Sequence, residues 1–503
     1  MSYTLGIDIG TTNVKTVLFG EGPRAVADAS YEYPTTFPAP SWAQQNPEHW
    51  WEGAVATIRS VLSQSGIDPA GIKAVAISCQ SPCALLVDRN GNPLHDALIW
   101  MDRRSTEELE LLEQSVGAQR IFEITGNRLD TYFMLSELMW FKRHHPELID
   151  KTYKILQANG YVNMKLTGEF TIDSANLSLT QANDLKHKCW SRELLDAIGV
   201  DMAITPDVYD CGEVIGTVTR QAAEQTGLKE GTPVLAGSVD ATAAAFEAGV
   251  QQGIALEMTG TSSVMLIGLD KPLTTIKLSH LNGFDDSTHY LYGAMSSAGG
   301  SLKWFRDALY GVEAGERNVY ARMDAEVERD APEPTHLLFL PYMVGERAPI
   351  WNPDARGVFF GLSMGTTRAQ MIRAIMEGAA FALLDNLEEA EKIGLHPEQL
   401  YVVGGCSNSD IWLRIKASVI NREIIVPRDT LGANGGLACL MAAYTGEFET
   451  PGQAAAAGFK VARRIEPVPA WVERYRALYR EYKKLYESLE INFKSFSLIG
   501  STN

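Results

Sequence analysis

The stretch YTLGIDIGTTNVKTVLF, Tyr3–Phe19, decides the reading of this chain. A short apolar run ends in Asp8, turns through Gly10-Thr11-Thr12 and resumes as a second β-rich run, Val14–Phe19; a third, Ala25–Tyr33, follows. This spacing predicts three strands in a meander. A turn rich in Gly and Thr leaves backbone N–H groups and hydroxyls free to cradle phosphate oxygens, and a carboxylate at the strand tip can hold Mg²⁺ through water. Asp8 is that carboxylate. Taken alone, an ordinary hairpin with a capping Asp explains the stretch equally well.

Outward from the meander, Asn46-Pro47-Glu48 reads as a helix start, with Asn as N-cap and Pro first. Trp50, Trp51, Ala54, Val55, Ile58 and Leu62 follow at helical spacing, and Ile72–Ser78 returns as a strand. The second half is expected to begin with a strand at Pro233–Gly237. Three short β-runs, Ile254–Thr259, Ser263–Ile267 and Tyr290–Ala294, precede a helix near Leu302–Tyr310. Meander, helix, strand thus occurs twice, which predicts an internal duplication: an α/β protein of two domains facing a cleft. Apolar stripes at 371–387 and 472–489 read as core helices, and Lys494–Asn503 as a frayed tail.

A length of 503 residues calls for two to four domains. Hydrophobic residues at 45% against 21% charged give the balance of a globular chain, and a net charge of −18 argues against a bulk grip on nucleic acid or anionic lipid. Six cysteines lack zinc-type clustering, with Cys79 and Cys83 read as packing. There is neither a signal-type amino terminus nor a run of ~18 apolar residues. The expectation is a reduced, cytoplasmic enzyme with no nucleic-acid or membrane partner.

Four further Gly-rich turns strengthen the phosphate reading: Gly237-Ser238-Val239-Asp240, Gly260-Thr261-Ser262-Ser263, Ala298-Gly299-Gly300-Ser301 and Gly404-Gly405-Cys406-Ser407-Asn408. Each falls at a predicted strand end or helix start, where phosphate is usually met. A Walker-type loop is absent. Gly20-Glu21-Gly22-Pro23-Arg24-Ala25 loosely fits a dinucleotide fingerprint but joins two predicted strands, so it reads as a surface hairpin.

These motifs resemble those of the FGGY family of carbohydrate kinases, whose fold is the ribonuclease-H-like one of the actin/hexokinase type. The resemblance rests on IDIGTTNVK around the first turn, WAQQNPEHWW (42–51), ALIWMDRR (97–104), GSVDATAAAFEAG (237–249), MTGTSS (258–263), FLPYMVGERAP (339–349) and VVGGCSNSD (402–410). The long family signature is met from Gly357-Val358-Phe359-Phe360-Gly361-Leu362, across a seven-residue spacer, to Gln370-Met371 and Ala374-Ile375-Met376-Glu377.

The resemblance implies an ATP- and Mg²⁺-dependent kinase acting on a small sugar or polyol. It implies Asp240 as the base that takes the proton from a sugar hydroxyl, and Asp8 as the residue serving Mg²⁺ and phosphate. Gly10, Thr11 and Thr12 would form the first phosphate loop and Gly260 and Thr261 the second, with Gly300 in the nucleotide set and Gly404, Gly405 and Asn408 against the adenosine. Domains are expected at 1–242 (sugar side), 243–465 (adenosine side) and 466–503 (helix and tail), and a homodimer is left open. From the residues alone, Asp240 also reads as N-cap of a helix over Ala241–Gly249, which is compatible with a base.

The chain departs from the family pattern twice. Glu137 precedes Leu138-Met139-Trp140 where a Lys is usual. The substrate strand reads Gln80-Ser81-Pro82-Cys83, with neither the Met-His of xylulose kinases nor the Arg-Glu of glycerol kinases. Gln80, Ser81, Trp100, Asp102 and Arg103, with Asp240, are the candidates for holding the sugar, and a ketopentose such as xylulose is the leading substrate. Glycerol, gluconate or another polyol is the alternative; from another class, the alternative is a non-catalytic actin-fold nucleotide-binding regulator.

Overall fold

The meander forms as expected in a computed structural model that describes residues 2–285, 287–311 and 318–500. Tyr3–Ile9 pairs antiparallel with Asn13–Phe19, which pairs with Ala25–Glu32. Gly20 N–H donates to the Arg24 carbonyl, so the fingerprint-like stretch is a hairpin connection. The helix Pro47–Ser65 starts where its cap residue stands: the Asn46 side chain accepts from Glu48 N–H, Pro47 opens the first turn, and Gly66 closes the last with φ 63°. Trp50, Ala54, Ile58 and Val61 are buried on its inner face. Ile72–Cys79 then returns parallel to Tyr3–Ile9.

Pro233–Leu235 does not open the second half. It lies parallel on Ile72–Cys79 in the first sheet, as does Ser238–Val239, and Val214–Thr217 forms the edge. Parallel pairing is non-local, so a strand's sheet cannot be read from its neighbours in sequence.

The second sheet repeats the plan. Ile254–Thr259 pairs antiparallel with Ser263–Leu269, and His289–Met295 lies outside that strand. Gln399–Gly404 returns parallel to Ile254–Thr259, with Ile424–Pro427 parallel beyond it and antiparallel Val461–Ile465 at the edge. The duplication therefore exists in topology, although few residues are shared.

Contacts group the chain into two compact units, and not as successive runs of sequence. Residues up to Gly249 join Leu269–Tyr290 and Thr430–Phe459; Val250–Gly268 joins Leu291–Asp429 and the residues from Lys460 on. The helix Ala433–Tyr444 thus belongs with the first sheet, where the Asn434 side chain donates to the Lys15 carbonyl.

The long helices are core as predicted. Arg368–Lys392 begins with a Thr367/Gln370 capping box and buries Ile372, Ile375, Met376, Ala379 and Leu383. Pro469–Gly500 buries Tyr475, Tyr479 and Tyr482. Residues 494–500, expected to fray, continue this helix, and 501–503 lie outside the described residues. No helix among the described residues is long and apolar enough to cross a membrane.

Candidate active site

Asp8 and Ser78 stand opposite each other on the first two parallel strands, Ser78 pairs in turn with Ser238, and Asp240 follows two residues later. The crossing depends on Gly237. Its φ is 86°, and a Cβ there would run into the Ile77 carbonyl, so no other residue fits the turn. Asp240 is not the N-cap. Val239 occupies that position, and Asp240 is the first helical residue of Asp240–Glu247, its Oδ1 accepting from Ala241 N–H at 2.6 Å.

The two carboxylates share one environment. Ser78 Oγ donates to Asp8 Oδ1 at 2.7 Å. Both acids keep part of their surface in water, yet the protein around them disfavours charge. Desolvation lifts Asp240 to about 7, with the Asp8 charge adding to it and the Ala241 N–H opposing. Desolvation likewise lifts Asp8 to about 6, against the pull of Ser78 and Lys15. Two acids so raised create a demand for a cation. A Mg²⁺ ion uses one or two carboxylates and fills the rest of its shell with water and phosphate oxygens. The donor set fits that ion, and among the described residues no group of three or more His, Cys, Asp or Glu forms a richer metal cage.

The Gly10–Thr12 turn is fastened from several sides. Gly10 N–H bonds the Asn13 carbonyl at 2.9 Å, Tyr33 OH donates to the Gly10 carbonyl, and Tyr33 N–H to the Thr12 carbonyl. Gln45, to which the sequence reading gave no role, is the hub. Its Nε2 donates to the Thr11 carbonyl at 2.8 Å, while its Oε1 accepts from Trp50 Nε1 at 3.0 Å and Gln80 Nε2 at 2.7 Å. Trp100 Nε1 donates to Thr11 Oγ1 at 3.1 Å. One buried amide thus ties the turn to the substrate candidates. Its signals in the sequence were its position just before the helix cap and its place in the WAQQNPEHWW stretch.

Gln80 and Ser81 leave polar atoms without a partner. Gln80 is 2% and Ser81 7% exposed; Gln80 Oε1 and Ser81 Oγ are buried with no hydrogen bond. Such orphans are costly unless a ligand satisfies them. Tyr132 OH donates to the Ser81 carbonyl.

Asp102 is engaged inside the protein. Its carboxylate accepts from Ala43 N–H at 2.6 Å and forms a buried ion pair with Arg104 at 2.8 Å. The Arg104 guanidinium lies 3.9 Å from the Trp42 ring centroid. Arg103 donates to the carbonyls of Trp100 and Asp102. Glu137 is buried, and desolvation with the nearby Asp102 charge holds it well above the usual carboxylate range. The residue that departs from the family's Lys is therefore an interior acid whose surroundings disfavour its charge.

In the second unit three turns converge on one strand tip. Gly260-Thr261-Ser262 caps the Ile254–Thr259 hairpin, with Gly260 N–H bonded to the Ser262 carbonyl at 2.8 Å. Gly300 N–H donates to the Thr261 carbonyl at 2.7 Å, and a Cβ on Gly299 would strike the Gly260 carbonyl. Gly404 has φ 85°, and a Cβ there would meet the Thr259 carbonyl. Gly260, Thr261, Gly404, Gly405 and Asn408 are exposed, which suits a surface that receives a ligand.

The profile of the FGGY family of carbohydrate kinases matches in its N-terminal domain over residues 3–247 and in its C-terminal domain over 256–445. A xylulose kinase of Bacillus subtilis (strain 168) is 30% identical over 99% of both chains. A glycerol kinase of Thermococcus gammatolerans is 30% identical over 84% of this chain and 85% of its own. The crystal structure of xylulose kinase from Rhodospirillum rubrum superposes with a TM-score of 0.90 at 27% identity, covering 98% of this chain and 100% of its own.

Proposed function

Because the chain belongs to the FGGY family of carbohydrate kinases, and is thus an ATP-dependent phosphotransferase with an alcohol acceptor, we propose that it phosphorylates a ketopentose such as xylulose, with Asp240 as the base. The observation that carries this reading is the pair of buried orphan oxygens, Gln80 Oε1 and Ser81 Oγ, just past the end of Ile72–Cys79, the strand that pairs with the Asp8 strand on one side and with Ser238–Val239 on the other. They call for a ligand with several hydroxyls. The full-length likeness to a xylulose kinase supports the choice. A glycerol-type substrate finds less support, since Arg-Glu is missing after Gln80 and Ala241, without a side-chain donor, follows Asp240.

In the reaction, the sugar hydroxyl oxygen bonds to the γ-phosphorus, the bridge to the β-phosphate breaks, ADP leaves and the hydroxyl proton passes to Asp240. An acid lifted to about 7 is matched to that task near neutral pH. The Gly10–Thr12 and Gly260–Thr261 turns bind phosphate through backbone N–H groups, and Gly300, Gly404, Gly405 and Asn408 border the nucleotide. Asp8, with Asp240 beside it, would hold Mg²⁺, which when bound neutralises phosphate charge. Gln80, Ser81, Trp100 and Arg103 hold the sugar; Asp102 acts through its pair with Arg104, fixing the 100–104 segment. We keep the division of labour along the chain, 1–242 for the sugar, 243–465 for adenosine and 466–503 as helix and tail, with 269–290 and 430–459 packed in the first unit.

The test is ADP release with a panel of ketopentoses, polyols and aldonates. A five-carbon ketose is expected to give the highest kcat/KM; glycerol or gluconate turning over faster than every ketose overturns the substrate. Gln80→Ala is expected to raise KM for the true substrate ~10-fold or more, as sites built to bond hydroxyls lose most when one partner goes. An unchanged KM removes Gln80 from the pocket.

A further inference from the structure

Beneath the Gly260–Ser262 turn lies a polar cluster that none of the chemistry above uses. Glu257 and Thr259 alternate along Ile254–Thr259 and so face the same side, and Ser263 stands opposite Thr259 across the hairpin. Thr259 Oγ1 and Ser263 Oγ donate to Glu257 Oε1 at 2.9 and 2.8 Å. Lys416, on the helix Asp410–Ile420, reaches into this cluster. Its Nζ lies 2.6 and 2.7 Å from the two Glu257 oxygens, 3.2 Å from Thr259 Oγ1 and 3.4 Å from Cys406 Sγ. The side chains of Lys416 and Glu257 are 0% and 1% exposed.

A buried ion pair is an expensive way to hold a core together. Two apolar side chains of similar volume do as well or better, because the charges lose their hydration. What the pair supplies that a hydrophobic contact lacks is direction. Lys416 bonds at once to the strand that ends in the Gly260–Ser262 turn and to Cys406 in the turn Gly405–Asn408. Both turns also touch at Thr259, whose carbonyl faces Gly404. The Lys416 charge is met by Glu257 on the interior side of the hairpin, so it is spent on the protein.

We propose that Lys416 is a positioning residue, which through Glu257 and Cys406 holds the Gly260–Ser262 and Gly404–Asn408 turns in one register so that a single nucleotide can engage both. The proposal rests on the reading of these two turns as the phosphate and adenosine contacts. It assigns the pair to nucleotide affinity and not to the sugar site, whose residues lie in the other unit.

The deciding experiment uses the full chain with Glu257→Met and Lys416→Met combined, which removes both charges and keeps apolar volume. Lys416→Met alone leaves a buried carboxylate unpaired, and if it fails to fold the double variant still decides. ADP binding by calorimetry, KM for ATP, KM for sugar and Tm are measured together. The expected result is a Tm near wild type, ADP affinity and KM for ATP weakened about tenfold or more, and KM for sugar within about twofold of wild type. ADP affinity within about twofold of wild type in the folded double variant overturns the proposal, and so does a parallel loss of sugar and nucleotide affinity that tracks Tm. A wild-type protein that does not bind ADP overturns it as well. If wild type binds ADP, the double variant weakens that binding, and no sugar stimulates ADP release, the positioning role stands and the kinase reading falls.

Discussion

Asp240→Asn is expected to lower kcat by ~10²–10⁴ while leaving ADP and sugar affinity near wild type, because removing a general base costs about that much in rate and little in ground-state binding. Asn keeps the shape and can still accept from the Ala241 N–H, so the helix start survives. The same substitution has a stability signature of known sign. Desolvation and the Asp8 charge raise Asp240 from 3.8 to about 7 in the folded chain. The folded state therefore holds a proton that the unfolded chain has released. Stability tied to Asp240 is fully present below about 4 and is lost as pH rises through about 7. At pH 8 the metal-free wild type carries the cost of a buried charge beside Asp8, and Asp240→Asn does not. Its Tm is expected to exceed wild type at pH 8, roughly 2–4 °C for each kcal/mol regained in units of this size, with the difference gone at pH 4. A variant that keeps more than about a third of kcat removes Asp240 from the base role; a lower Tm at pH 8 removes the electrostatic account.

The legible parts of this molecule were the local ones. The turn after Asp8 and the cap of Pro47–Ser65 declare themselves within a few residues, through Gly, Thr, Asn and Pro at positions with a physical use. The repeated meander was readable for the same reason, since antiparallel neighbours are neighbours in sequence. What failed was non-local. Pro233–Leu235 has the composition of any short strand, and only parallel pairing with Ile72–Cys79 assigns it to the first sheet. Asp240 missed the cap by one position because Val239 is still extended, at ψ 142°, where the helix begins. Gln45, Lys416 and Glu257 look like surface residues by type. Their burial follows from partners 35 to 159 residues away, as with Gln45 and Gln80 or Lys416 and Glu257, and no periodicity announces such a pair. The wholly buried Asp102–Arg104 pair is the sharper case. Asp102 and its neighbour Arg103 read as sugar candidates, whereas the chain uses Asp102 to anchor Ala43 N–H and Arg104 together.

Asp8→Ala carries the other large effect, and it separates metal from phosphate contact. If Asp8 holds Mg²⁺, its loss is expected to raise the Mg²⁺ concentration for half-maximal turnover about tenfold or more and to cut kcat at saturating sugar. Thr12→Ala is expected to change both by less than about threefold, since backbone N–H donors of the turn survive side-chain loss. The Asp8 charge is also one of the causes that lift Asp240, so removing it must move Asp240. In Asp8→Asn the repulsion that helps lift Asp240 disappears while desolvation remains. The pH range over which metal-free protein loses Asp240-linked stability is therefore expected to shift downward from about 7, because the lone carboxylate ionises more easily. That shift is read from Tm against pH in the presence of chelator, where no metal competes. A Mg²⁺ midpoint unmoved by Asp8→Ala assigns the ion to other residues. An unmoved stability profile in Asp8→Asn means the two carboxylates do not sense each other, and the demand for a cation between them vanishes with it.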